Sequence, residues 1–202
     1  MRLLTLVTLL FGLAHTSLAS AAGDTDAAMI KVKVYKFAVS LSPACTHPIT
    51  IFSDSTGVER DLLASPTFGS GQLAAGTYPC VLIEVSKVIH TKGTTACTTE
   101  WADVICNNDQ LSQLIDGTAV TCTGDSTHDQ HVTLFINTLS SSGRIGERAL
   151  LPPRSEADTE SGLKLTSPFI VSSTVSGTLK VNPTHFITST SCSTNAPTFS
   201  FE

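Results

Sequence analysis

The apolar residues of segment 29–41, MIKVKVYKFAVSL, alternate with polar residues, but the alternation breaks once. In a regular strand the apolar residues of 30–34 lie on one face, whereas those of 37–41 lie on the other. Such a switch would move half of the apolar side chains to solvent. We therefore expect a β-bulge near Tyr35 and Lys36, which returns both apolar sets to one buried face.

Other segments of the chain show the same period of two, namely PITIFS, TYPCVLIEVSKVI and HVTLFINTL. Both faces of TYPCVLIEV are apolar, so this segment predicts a central strand that is covered on two sides. Several strands of this kind predict a mainly β fold, specifically an antiparallel two-layer β-sandwich.

One segment, 107–117, has the spacing of a short helix. Asn107 or Asn108 is the expected N-cap and Gly117 the expected C-terminal stop. The apolar residues that would share one helical face are Leu111, Leu114 and Ile115.

Residues 1–22 have the pattern of a secretory signal peptide, with one Arg, an apolar run over 3–13 and small residues before position 23. The apolar run is shorter than the roughly 20 residues that cross a membrane as a helix. We expect cleavage after Ala21 or Ala22. The mature chain, 23–202, is then a single domain that is secreted or periplasmic and has no membrane span.

The chain has six cysteines, and export to an oxidising compartment favours their pairing as disulfides. Fifteen pairings are possible. Cys97, Cys106 and Cys122 lie in one segment, so we expect at least one local bridge there and a link from the third to Cys80, Cys45 or Cys192. No two cysteines have a CxxC spacing, which argues against a structural zinc site. We call segment 91–127 the Cys-rich insertion. We expect it to be a disulfide-linked segment that leaves the sheets and contains the short helix.

Charged residues make up only 14% of the sequence, whereas Ser and Thr contribute 24 and 29 residues. Loss of Arg2 with the signal peptide leaves 11 basic and 17 acidic residues, a net charge of −6. Nucleic-acid binding depends on clustered Lys and Arg, and the sequence has no such cluster. Nucleic acids and anionic membrane surfaces are therefore excluded as expected partners.

Several short motifs occur in order over residues 30–187, and they comprise Asp61, Leu62 and Leu63; Leu73, Gly76 and Tyr78; and Gly162, Leu163, Lys164, Leu165, Pro168 and Phe169. Together these motifs resemble a family of exported bacterial domains of unknown function, which often occur on lipoproteins. The resemblance implies a prealbumin-like (transthyretin-like) sandwich, related in architecture to immunoglobulin domains. The chain departs from the family pattern in lacking a lipid-bearing Cys, in carrying segment 91–127, and in the sequence of 179–182.

Two short segments contain residues that could form a chemical site. In GDSTHDQH, 124–131, the oxygen and imidazole ligands of Asp125, His128, Asp129 and His131 could hold a divalent metal ion; the alternative is an exposed loop before a strand. FSDSTGV, 52–58, lacks the uninterrupted tripeptide of an aspartic protease and predicts an ordinary turn. The sequence contains no GxSxG nucleophile motif, and we expect no cofactor.

Trp101 is the only tryptophan and lies in the Cys-rich insertion. Its ring either packs the insertion against the rest of the fold or serves as an aromatic platform for a sugar or a partner protein.

These observations favour a non-catalytic binding or adhesion module that recognises a glycan or a surface protein through its loops. Two other hypotheses remain open at this point: a structural subunit of an extracellular assembly, and a hydrolase without a recognisable motif.

Overall fold

The computed structural model describes residues 23–64, 73–107, 109–124, 129–141, 148–172 and 179–201. The predicted signal peptide, 1–22, lies outside the described residues, and so do Asp125 and His128 of the predicted metal site. The described residues form these strands: β1 (Asp24–Thr25), β2 (Ala27–Ser40), β3 (Ile49–Asp61), β4 (Gly76–Tyr78), β5 (Cys80–Gly93), β6 (Trp101–Val104), β7 (Leu111–Gln113), β8 (Ala119–Thr121), β9 (His131–Asn137), β10 (Leu163–Lys164), β11 (Phe169–Val171), β12 (Leu179–Asn182), β13 (Ile187–Thr188), β14 (Ser193–Thr194) and β15 (Thr198–Phe201).

Six of these strands form a central sheet in the order β10-β9-β5-β2-β3, with β6 pairing beside the second half of β5. The pairs are antiparallel except β9 with β10. The prediction for β5 is confirmed, because it lies between β2 and β9 and residues 80–85 are all buried. The predicted mainly β fold is likewise confirmed.

The predicted bulge in β2 is confirmed. Between Val34 and Lys36 the chain advances two residues in β2 and one residue in β5, so Tyr35 is an extra residue of β2 relative to β5. As a result Val34 and Phe37 join one buried cluster on what we call the inner face of the central sheet. Ala38 belongs to a second cluster on the opposite, outer face.

Three small sheets contribute to the inner-face cluster: β4 with β11, β12 with β15, and β1 with β13 and β14. Their buried side chains share the cluster with those of β2, β5 and β9, and include Phe169, Leu179, Val181, Ile187 and Phe199. Burial of this apolar surface is the main driving force for folding.

The helix predicted at 107–117 is wrong. Strands β7 and β8 pair there as an antiparallel hairpin, whose turn contains Gly117 at φ 91° and a 2.8 Å hydrogen bond from Leu114 N to Thr118 O. An 11-residue helix would be roughly 16 Å long, whereas the disulfide at the base of the hairpin holds the Cys106 and Cys122 Cα atoms 5.7 Å apart. Among the described residues the helical element is instead a 3₁₀ turn at Leu62–Ala64.

All six cysteines are paired, as Cys45–Cys80, Cys97–Cys192 and Cys106–Cys122. The expected local bridge is Cys106–Cys122, and the expected outward link runs from Cys97 to Cys192. The second bond joins the segment after β5 to the segment between β13 and β14. Three such bonds are typical of proteins from oxidising compartments.

Removal of Cys97–Cys192 should cost more stability than removal of Cys106–Cys122, since the first spans 95 residues and the second 16. Chain entropy predicts a difference of about 1–2 kcal/mol between the two Cys→Ser double variants. Urea unfolding of both variants and of the parent protein measures this difference. An equal loss, or a larger loss for the hairpin disulfide, would show that loop closure does not govern the stabilisation.

Candidate functional site

The outer face of the central sheet has an apolar end and a polar end. At the apolar end, Ala38, Leu82 and Phe135 form a small cluster with the Cys45–Cys80 disulfide, and Ile115 of the β7–β8 hairpin packs against it. The hairpin also contacts the middle of this face, where Ser112 Oγ accepts a 3.4 Å hydrogen bond from Thr133 N. The polar end begins beyond this point and carries the candidate site.

Tyr35, the extra residue of the bulge, is the centre of the polar end. Its side chain is buried, and its hydroxyl donates a 2.5 Å hydrogen bond to Asp129 Oδ2. Its ring stacks on His131 with 3.5 Å between the ring centroids. The Tyr35 side chain therefore contacts both sequence neighbours of Gln130, namely Asp129 and His131.

Gly57 of β3 makes room for the Tyr35 ring. At φ 74°, a Cβ atom on Gly57 would lie 2.6 Å from Tyr35 Cε1, so a larger residue cannot be accommodated without movement. Gly57 is the last of four β3 residues, 54–57, that have no register partner in β2. Within this stretch, Asp54 Oδ1 accepts hydrogen bonds from Thr56 N and Gly57 N. The sequence predicts an ordinary turn at 52–58, whereas in the structure these residues belong to β3, with the irregularity at 54–57.

Glu84 supplies a buried carboxyl group at the polar end of the outer face. It lies directly opposite Lys36, whose Nζ atom is 3.3 Å from Glu84 Oε2. Its other oxygen is 3.3 Å from His131 Nδ1. Lys36 and His131 thus give this buried carboxyl group polar partners, which offset the cost of removing it from water.

Lys87 is fully buried at the point where β5 changes its neighbour from β9 to β6. Its backbone N donates to Gln130 O, and its backbone O accepts from Ile105 N. The Nζ atom donates to Thr123 O at 2.7 Å, to Thr123 Oγ1 at 2.8 Å and to Gln130 Oε1 at 3.1 Å. Lys87 therefore ties together the two positions that flank segment 124–129, and fixes the start of β9 beside Tyr35.

A cavity of about 240 Å³ opens beside this cluster, and we call it the outer-face cleft. It is lined by Lys31, Val32, Lys33, Glu59, Ser86, Val88, His90 and Asp129. The polar side chains of the lining come from β2, β3 and β5 and from the residues just before β9. The register of these strands in the central sheet therefore sets the shape of the cleft.

The protonation states of the Lys33, Tyr35 and Asp129 group follow from its contacts. Burial raises the pKa of Asp129, but hydrogen bonds from Tyr35, Ser86 and Lys33 more than offset it and hold that pKa below its ordinary value. Burial and then the hydrogen bond to Asp129 raise the pKa of Tyr35. The pKa of Lys33 is raised by Tyr35 and, to a smaller extent, by Asp129. At neutral pH the cleft therefore presents an ammonium and a carboxylate side by side.

Of the four predicted metal ligands, two, Asp129 and His131, belong to the described residues. Asp129 contacts Lys33 and Tyr35, whereas His131 faces Glu84. The other two, Asp125 and His128, are outside the described residues. Within those residues, no group of three or more His, Cys, Asp or Glu side chains is arranged to hold a metal ion.

Trp101 begins β6 and pairs with Thr91 of β5. It is partly buried and packs against the inner-face cluster, with its indole nitrogen buried. It does not line the outer-face cleft, although its neighbour Glu100 is 3.4 Å from His90 Nδ1 at the edge of that cleft.

Sequence reasoning missed most of the polar end, including Lys33, Tyr35, Lys36, Glu84 and Lys87. Two features pointed to it: Glu84 and Lys87 are charged residues in a strand that is otherwise apolar, and such residues need specific partners. The identity of those partners depends on strand pairing between distant segments.

Comparison with protein-family models, curated proteins and solved structures finds no match to this chain. In the described parts of the chain, no helix has the length and apolar character needed to cross a membrane. The fold and the cleft therefore define a disulfide-bonded, mainly β protein with a small polar cavity on its central sheet.

Tyr35→Phe should raise the pKa of Asp129 towards the ordinary value of 3.8, since it removes the hydroxyl donor. A carboxyl group whose pKa is lower in the folded than in the unfolded state stabilises the fold above pH 3.8. This stabilisation is lost as the pH falls through the folded-state pKa. The free energy of unfolding of the variant should therefore be about 1 kcal/mol lower than that of the parent at pH 7. The difference is small because Asp129 is partly exposed, and it should be smaller still below pH 4.

Carbon-13 NMR titration of the Asp129 carboxyl, together with urea unfolding at the two pH values, measures both effects. Tyr78→Phe is the matched control, because the Tyr78 hydroxyl donates to Ala74 O and not to the cleft. An Asp129 pKa that is equal in the parent and the Tyr35 variant would contradict the proposed role of the hydroxyl.

Proposed function

We propose that this protein is an exported, non-catalytic binding module that recognises a glycan or a surface protein through the outer-face cleft. The observation that carries the proposal is the cleft itself, a polar cavity whose side chains are fixed by contacts with one another. Lys33, Tyr35 and Asp129 are joined by hydrogen bonds, and the Tyr35 ring is held between Gly57 and His131. Such prior ordering reduces the entropy that a binding site loses when its ligand enters.

Export is supported by the signal-peptide pattern of residues 1–22 and by the three disulfides. These bonds persist in the periplasm or outside the cell and are rare in the cytosol. A rigid, cross-linked sheet is a suitable scaffold for recognition in either compartment.

For the architecture, we propose the prealbumin-like sandwich implied by the sequence resemblance to exported bacterial domains. Two of the motifs that carry this resemblance meet in the structure, since Tyr78 of β4 pairs with Phe169 of β11. Their rings lie 6.1 Å apart in the buried cluster. The central sheet with small sheets on its inner face is compatible with two layers.

Lys33→Met should weaken ligand binding by about tenfold or more, since a hydrogen bond to a charged group contributes about 1.5–3 kcal/mol. The measurement is binding of the oxidised mature protein to a broad glycan array, followed by calorimetry with the best ligand. Lys164→Met is the matched control, because Lys164 is exposed on β10 and does not line the cleft.

Trp101→Phe separates the two interpretations of the Cys-rich insertion. The cleft proposal predicts unchanged affinity for this variant, because Trp101 lies outside the cleft and phenylalanine retains part of its packing. Loss of binding in Trp101→Phe, with normal affinity in Lys33→Met, would place recognition at the insertion and contradict the proposal.

A further inference from the structure

The charged groups of the outer-face cleft are balanced and paired. Lys33 Nζ lies 3.4 Å from Asp129 Oδ2, and Lys31 Nζ lies 3.9 Å from Glu59 Oε1. At the edge, Glu100 is 3.8 Å from Lys31 and 3.4 Å from His90. Among the described residues, the lining of the cleft therefore presents two ammonium and two carboxylate groups, with one further carboxylate, that of Glu100, at its edge.

This arrangement gives little net attraction for a charged ligand. An anion that approaches Lys31 or Lys33 also meets Glu59 or Asp129, and a cation meets the lysines in the same way. Long-range steering and charge selection need a surface with a net charge of one sign.

The same arrangement suits a ligand that carries neighbouring hydroxyl groups. A hydroxyl both donates and accepts hydrogen bonds. One hydroxyl can donate to Asp129 or Glu59 while the next accepts from Lys33 or Lys31, without displacing either ion pair from the cleft. Val88, which is partly exposed, adds an apolar portion to the lining.

The size of the cleft limits the ligand to a small unit. Its volume of about 240 Å³ is below the roughly 300–1,000 Å³ of sites that enclose drug-sized molecules. A single sugar ring, or the end of a longer chain, is of the appropriate size.

We propose that the outer-face cleft binds a neutral, hydroxyl-rich sugar ring, and discriminates against acidic and amino sugars. The inference rests on the proposed function, because it names the ligand class of the same site. Two properties follow: affinity that is nearly independent of salt, and a requirement for both the acidic and the basic residues of the cleft.

The test uses neutral oligosaccharides together with uronic-acid and amino-sugar oligosaccharides of matched length. The oxidised mature protein should bind at least one neutral series. Affinity should change less than about twofold between 50 and 500 mM salt, since exposed charge interactions are screened over this range. Asp129→Asn and Lys33→Met should each weaken binding about tenfold or more, and Lys164→Met should not.

Binding that depends on the cleft but is restricted to uronic-acid or amino-sugar ligands, and that falls steeply with salt, would overturn the ligand class and retain the binding module. Binding that is unaffected by Asp129→Asn and Lys33→Met would overturn the cleft as the recognition surface. Absence of binding to all three series would contradict both the ligand class and recognition of these glycans.

Discussion

The bulge at Tyr35 is the constraint on which both faces of the central sheet depend. A regular strand would place Phe37 on the opposite face from Val34, whereas the extra residue brings both into the inner-face cluster. The same extra residue leaves Tyr35 and Lys36 on the outer face, next to Asp129 and Glu84. One local irregularity thus completes the core and supplies two residues of the polar end.

The segment from Asp129 to His131 shows how the polar end is held together. Asp129 contacts Tyr35, Gln130 contacts buried Lys87, and His131 stacks on Tyr35 while facing Glu84. Each of these three consecutive residues is therefore fixed by a different contact. The resulting order extends to the outer-face cleft, because Asp129 is part of its lining.

Features that depend on local periodicity could be predicted from the sequence. The bulge followed from a break in the alternation of apolar residues, and the position of β5 followed from its two apolar faces. A local disulfide followed from the clustering of Cys97, Cys106 and Cys122, but the choice of Cys106 and Cys122 as the pair did not. The helix predicted at 107–117 was wrong because only three apolar residues supported it, and the strand pairing of β7 with β8 between the linked Cys106 and Cys122 prevailed over this local pattern. The cleft could not be predicted, because it depends on the register that brings Lys33, Ser86 and Asp129 together from separate strands.

Nuclear Overhauser spectroscopy of the oxidised protein with labelled aromatic residues tests this account most directly. The account predicts cross-peaks between the Tyr35 and His131 rings, and between the Phe37 ring and the inner-face methyl groups of Ile83 or Val85. Cross-peaks from the Phe37 ring to Leu82 and Phe135 on the outer face, with none between Tyr35 and His131, would show that β2 has no bulge. Both the core and the cleft described above would then be wrong.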